Sequence, residues 1–140
     1  MDSGEVRVVD EITGGEKKWW RKARPAHIID ALDIAWVAGL IEGEGCFLIS
    51  SDRYPKVQFQ LSMCDEDVVR HAASILGVGT VCVKKPGVRS IKLQWSWRVT
   101  AQAEVAWVMD LVYPLMGIRR QQKIDELRIS LPSWATGKDE

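Results

Sequence analysis

The chain of 140 residues reads as one α+β domain. Its elements run helix, two strands, helix, two strands, helix, helix. Three observations predict this. Residues 56–63 and 91–99 each alternate polar and apolar side chains without a break, the period of a half-buried strand. The segments around them place apolar residues at helical spacing and end at Gly77 and Gly117. The strands come in two pairs, which predicts two hairpins in an antiparallel or mixed four-stranded sheet with helices on its apolar face.

Composition sets the frame. At 46% hydrophobic and 27% charged, the chain matches an ordinary soluble domain with room for a core. No apolar run approaches the roughly 18 residues of a membrane span. The first residues, Met1 to Glu5, are acidic and lack an apolar signal core. Three cysteines (Cys46, Cys64, Cys82) are an odd number with no CxxC pair. That argues against a disulfide framework or zinc knuckle and predicts a reducing compartment, cytoplasmic or organellar and not secreted. Net charge is zero, which taken alone disfavours nucleic acid. Its distribution is uneven: residues 44–100 hold 8 Lys/Arg against 5 Asp/Glu.

Residues 1–29 are predicted to form a flexible basic and aromatic arm. Lys17, Lys18, Arg21, Lys22 and Arg24 surround Trp19 and Trp20. Such a segment either lies on phosphates with its rings stacked or wedged, or is a solvated linker. The domain proper spans 30–131, and 132–140 is expected to be a disordered tail.

The first helix is predicted from about residue 31, capped by Asp30 or Asp33. Ile34, Val37, Ala38 and Ile41 form its apolar stripe. Ala35, Gly39 and Gly43 are spaced by four and form a second stripe of small residues. Interior glycines cost a helix about 1 kcal/mol each against alanine, so two of them imply a wanted close contact with another helix. The helix ends in two carboxylates, Glu42 and Glu44. Charge at the end of a buried helix needs compensation, which a metal ion or a dimer seam would provide.

A hairpin follows: Cys46 to Ser50, a turn over Ser51 to Pro55, then Lys56 to Met63. The second strand presents Lys56, Gln58, Gln60 and Ser62 on one side. Glutamine can read adenine in the major groove, although a plain solvated face carries about equal weight here. Asp65, Glu66 and Asp67 suit the first turn of a second helix, closed by Gly77. Val78 to Val83 is the third strand, Lys84 to Gly87 a basic turn, and Ile91 to Val99 the fourth strand. The fourth strand's polar side is Lys92, Gln94, Ser96 and Arg98. A third helix is expected over about 102–116. Arg119, Arg120 and Lys123 open a fourth, running to about 130. His27 and His71 are isolated and read as structural or surface residues.

The nonapeptide Val37-Ala38-Gly39-Leu40-Ile41-Glu42-Gly43-Glu44-Gly45 resembles the signature of LAGLIDADG homing endonucleases. Ala38, Gly39, Leu40, Ile41 and Gly45 are identical to it, and Glu42 and Glu44 are Asp/Glu exchanges. The αββαββα order that follows is also similar to that family's core, so the likeness covers roughly residues 30–130. The resemblance implies a saddle-shaped sheet on double-stranded DNA. It also implies helix-to-helix pairing of two motif copies. With one motif in the chain, that means a homodimer on a near-palindromic site. It places Ala35, Ala38, Gly39, Glu42 and Gly43 at the dimer interface. Glu44 and the Gly43 carbonyl become ligands of Mg²⁺, with Mn²⁺ as its substitute, Arg98 a basic catalytic residue, and Glu42 a structural acid. Met63 stands where some members carry a polar residue that positions water.

Phosphodiester hydrolysis needs an activated water and a stabilised phosphate, which oxygen-bound divalent ions supply. Candidate DNA contacts are Ser50, Lys56, Gln58, Gln60, Ser62, Lys84, Lys85, Arg89, Lys92 and Gln94, with Arg119, Arg120 and Lys123 on flanking phosphates. The function implied is a site-specific, metal-dependent DNA endonuclease encoded with an intron or similar element. The alternative is a non-cleaving nucleic-acid-binding protein of the same fold, an intron-RNA maturase or a DNA-binding regulator. A third reading, a dimeric structural module, leaves the Gln/Lys strand faces unexplained.

Overall fold

The computed structural model describes residues 29–86 and 92–136. Residues 1–28 of the basic arm, with His27, then Arg89, Ile91 and the last four residues lie outside the described residues.

The elements are α1 (Ala31–Glu44), β1 (Gly45–Ile49), β2 (Val57–Met63), α2 (Glu66–Leu76), β3 (Thr80–Lys84), β4 (Gln94–Val99), α3 (Gln102–Val112), α4 (Ile118–Arg128) and a short α5 (Ser133–Thr136). The expected α+β order is present. The sheet is antiparallel throughout, in the order β1-β2-β4-β3. Both expected hairpin pairings form, and β2 joins β4 in the middle.

Register divides the sheet cleanly. Gly45, Leu61, Trp97 and Val81 share one row, and Phe47, Phe59 and Val99 the next. These rows face the helices. Phe59 is fully buried between Phe47 and Trp97, with ring centres 5.1 and 5.0 Å away. From α1, Val37, Ala38 and Ile41 enter the same core, as do Val105, Val108, Met109 and Val112 from α3. Trp97 is wholly buried, and its indole N–H donates to the Val78 carbonyl at 2.9 Å.

The boundaries differ from expectation where backbone chemistry intervenes. β3 begins at Thr80, because Gly77 and Gly79 both adopt left-handed φ (70° and 81°) and turn the chain first. The Gly77 N–H closes α2 on the Ala73 carbonyl. α3 stops at Val112 and tightens into a 3₁₀ turn, Tyr113–Leu115, since Pro114 lacks the N–H that an α-helix needs. β4 is described from Gln94. Part of the expected disordered tail is ordered: α5 packs on α3 and buries Ala135, and Leu131 before it joins the core. Among the described residues, no helix is long and apolar enough to cross a membrane.

Candidate functional site

α1 passes directly into β1 with no loop, so the last helical residue, Glu44, stands beside the start of an edge strand. The glycines of this stretch differ physically. A side chain on Gly45 would place its Cβ 2.9 Å from the Ile41 carbonyl and 3.0 Å from the Phe59 ring. Gly45 is therefore required by the chain's own corner. A Cβ on Gly39 or Gly43 would meet nothing within 4 Å. Their helix penalty has no compensating contact inside the described domain.

Ala35, Gly39 and Gly43 lie on the exposed side of α1, together with Leu32 and Trp36. α1 is thus apolar on two sides, and one of them is open. Ala38 corrects the expectation for this surface. It is 2% exposed and packs in the domain's own core, because one residue of helix turns it about 100° away from Gly39.

The two carboxylates part company. The Glu42 carboxylate accepts the Gly117 N–H at 3.0 Å, and the Glu42 carbonyl accepts from Arg120 Nε at 2.9 Å. Glu42 thus ties the end of α1 to the start of α4. Arg120, expected on flanking phosphates, also braces that joint. Its separate ion pair with the Glu42 carboxylate, 3.8 Å and partly exposed, adds little. The Glu44 side chain is exposed, and no hydrogen bond or ion pair reaches its carboxylate among the described residues.

The metal expectation can be tested on donors. Of the last carbonyls of α1, Ile41 is taken by the Gly45 N–H and Glu42 by Arg120. The Gly43 carbonyl lies between Glu42 and Glu44 in the last turn of the helix. A carboxylate and a helix-end carbonyl are hard oxygen donors at the negative end of a helix dipole. They fit a hard divalent cation. Among the described residues no group of three or more His, Cys, Asp or Glu is placed to hold a metal, so one chain offers only part of a coordination shell.

The sheet face turned away from the helices is polar. One row reads Cys46, Gln60, Arg98, Thr80; the next Ser62, Ser96, Cys82; Leu48 pairs with Gln58, and Gln94 with Lys84. No acidic residue occurs among them. The Ser62 hydroxyl donates to Ser96 at 3.1 Å. Arg98 is exposed and lies two strands across from Cys46, about 10 Å at ordinary strand spacing.

The expected contacts Gln58, Gln60, Ser62, Lys84, Gln94 and Arg98 are brought together on this face. Ser50 and Lys56 close the β1–β2 end, where Lys56 N–H donates to the Ser50 hydroxyl. Lys85 is exposed just beyond β3, and Lys92 is exposed ahead of β4. Arg119 and Lys123 sit apart, on α4 beside β1. Met63 shares the helix-facing row of Trp95 and packs against the core, as the strand alternation implies. Its apolar character suits that packing. Cys46, Thr80 and Cys82 were missed as members of that face, although strand parity was there to find them.

No family model matches the chain, and no curated protein matches it in sequence. Solved structures do match. The homing endonuclease I-CvuI, in complex with the I-CreI target, superposes with TM-score 0.51 at 22% identity over 65% of this chain and 60% of that one. The chain therefore spans less than two thirds of that protein's length. I-CeuI, a group I intron-encoded homing endonuclease complexed with DNA, gives TM-score 0.57 at 12% identity over 89% of this chain and 68% of its own. This chain has the homing-endonuclease fold. An archaeal intron-encoded enzyme, I-Vdi141I, also complexed with DNA, superposes with TM-score 0.50 at 16% identity over 65% and 62%.

Proposed function

We propose that this chain is a site-specific DNA endonuclease that acts as a homodimer on a near-palindromic site and makes metal-dependent double-strand breaks. One observation carries the reading. The exposed carboxylate of Glu44 stands at the end of a helix on whose two interior glycines a Cβ would meet nothing within 4 Å among the described residues. It stands there at the rim of an acid-free polar sheet face.

Each part has a task. Ala35, Gly39 and Gly43 admit the same helix of a second copy, which brings two Glu44 side chains to one seam. The open face lies in the major groove. There Gln58, Gln60 and Gln94 offer amides to base edges, while Lys84 and Arg98 contribute positive charge. Glu44 and the Gly43 carbonyl of each subunit would hold Mg²⁺ or Mn²⁺, whose chemistry is to activate water and stabilise the attacked phosphate. Arg98 contributes charge toward the phosphate as negative charge develops on it. Glu42 and Arg120 hold the helix end rigid, so that Glu44 is presented from a fixed frame.

The test uses a plasmid library carrying randomised near-palindromes, with the homodimer and Mg²⁺ or Mn²⁺. Wild type should linearise a subset of sites. Glu44→Gln should bind the selected sites with similar affinity and cut none of them. A wild-type protein that binds a selected site yet never cuts it, at any concentration of either metal, would falsify the nuclease reading.

A further inference from the structure

The basic residues that open α4 break two local rules. Arg119 and Lys123 are four residues apart, so two like charges share one helix face. Arg119 and Arg120 occupy the first turn, where the helix dipole disfavours cations; Glu42 at that helix end engages Arg120, and Arg119 has no such counterpart among the described residues. Local rules broken without a local gain point to a role outside the helix.

The fold shows where these charges go. Arg119, Arg120 and Lys123 line a cleft of about 360 Å³ whose opposite wall is Gly45, Cys46 and Phe47 of β1. β1 is an edge strand, so the side of it away from β2 has no strand partner for its backbone groups. Arg120 is committed to Glu42. Among the described residues, neither Arg119 nor Lys123 has a hydrogen-bond or ion-pair partner.

We propose that this cleft seats one backbone phosphate of the DNA, the next along the strand beyond the position of Glu44. The proposal rests on the DNA reading above. Charge complementarity favours a phosphodiester, which two unpartnered cations bind through charge-assisted hydrogen bonds. Continuity favours the DNA backbone as its source, because Cys46 belongs both to the cleft and to the first row of the open face. Through Arg120 the cleft shares a wall with the brace on Glu42, so a seated phosphate packs against the joint that presents Glu44.

The test compares wild type with the double variant Arg119→Gln/Lys123→Gln on a random-sequence duplex pool, using two readouts. The first is the salt dependence of affinity. Losing one phosphate contact per cleft, in a dimer with two clefts, should make the slope of log K on log salt shallower by about 1.8. Arg70→Gln, which removes a charge paired with Glu66 on α2, should leave the slope unchanged. The second is alkylation of the three exposed cysteines, read by mass spectrometry. Duplex should shield Cys46 and Cys82 in wild type. In the double variant Cys46 should become reactive again while Cys82 stays shielded. An unchanged slope, or unaltered shielding of Cys46, overturns the phosphate seat while leaving the sheet reading intact. If duplex shields neither cysteine in wild type, the DNA reading fails and the seat fails with it.

Discussion

The Glu42 carboxylate accepts the backbone N–H of Gly117 at 3.0 Å, joining residues 75 apart in the chain. Gly117 precedes α4, so this is an N-terminal cap supplied by a different helix. The glycine permits it: a Cβ there would lie 3.3 Å from the Glu42 carboxylate. Replacing Glu42 with alanine should destabilise the domain by about 0.5–2 kcal/mol, the ordinary worth of a cap. Glu42→Gln, which keeps an acceptor, should recover most of that. Urea denaturation of the two variants checks it; equal loss in both would assign the effect to the charge and its pairing with Arg120 rather than to the cap.

Trp97 carries the sheet-to-helix core. It is fully buried, meets Phe59 edge-on, and gives its indole N–H to the Val78 carbonyl. Trp97→Phe keeps an aromatic ring but leaves that carbonyl without its donor, at a cost of about 1–3 kcal/mol before any cavity. Gly79 next to it is held at φ 81°, and a Cβ there would come within 2.9 Å of the indole nitrogen. Gly79→Ala should therefore be at least as damaging as Trp97→Phe. Denaturant midpoints of both variants decide whether the β3 turn is as constrained as this geometry requires.

Much of this was legible in the sequence, for a physical reason. Where one sheet face is buried, side chains must alternate, so β2 and β4 announced both themselves and their open faces. Pairing between the two hairpins has no local signature, so the central β2–β4 contact could not be read. The glycines show the same limit. Gly43 and Gly45 are one residue type two positions apart, yet one faces open space and the other an ångström-scale fit against Ile41 and Phe59. Ala38 enters the core as its place in the apolar stripe implies, and it was the resemblance that set it at the seam. The partner of Glu42 was out of reach because it lies 75 residues away. Glu44 was legible because charge at the end of an apolar helix stands out in the sequence.

Glu104 on α3 provides a pH-dependent test. Partial burial raises its pKa above the usual 4.5, against a smaller lowering by a backbone hydrogen bond from Gly79. An acid whose folded pKa is raised holds its proton longer in the fold than in the unfolded chain. Its contribution favours the fold at low pH and is lost as pH rises through the folded value. Glu104→Gln, which is neutral and still has an oxygen for Gly79, should be more stable than wild type at neutral pH. The gain should vanish below pH 4.5. Paired urea titrations at pH 7 and pH 4 measure this, and a gain independent of pH would mean that the charge of Glu104 is not what its burial penalises.

The open glycines give the sharpest separation between fold and assembly. Among the described residues a methyl group on Gly39 or Gly43 meets nothing within 4 Å, and alanine is the better helix former by about 0.5–1 kcal/mol per site. A monomer should therefore be stabilised by Gly39→Ala and unharmed by Gly39→Leu. In a dimer whose two helices touch along Ala35, Gly39 and Gly43, the leucine side chain has no room. Gly39→Leu and Gly43→Leu should both fold, melt at or above the wild-type temperature when dilute, and sediment as monomers at concentrations where wild type is dimeric. Cleavage should be lost in both, because each Glu44 would then face the substrate without its partner. Ala38→Leu is the contrast: that position is closed by the domain's own core, so the variant should lose stability first and assembly only as a consequence. If Gly39→Leu remains dimeric and active, the helix seam is wrong and the small residues of α1 need another explanation.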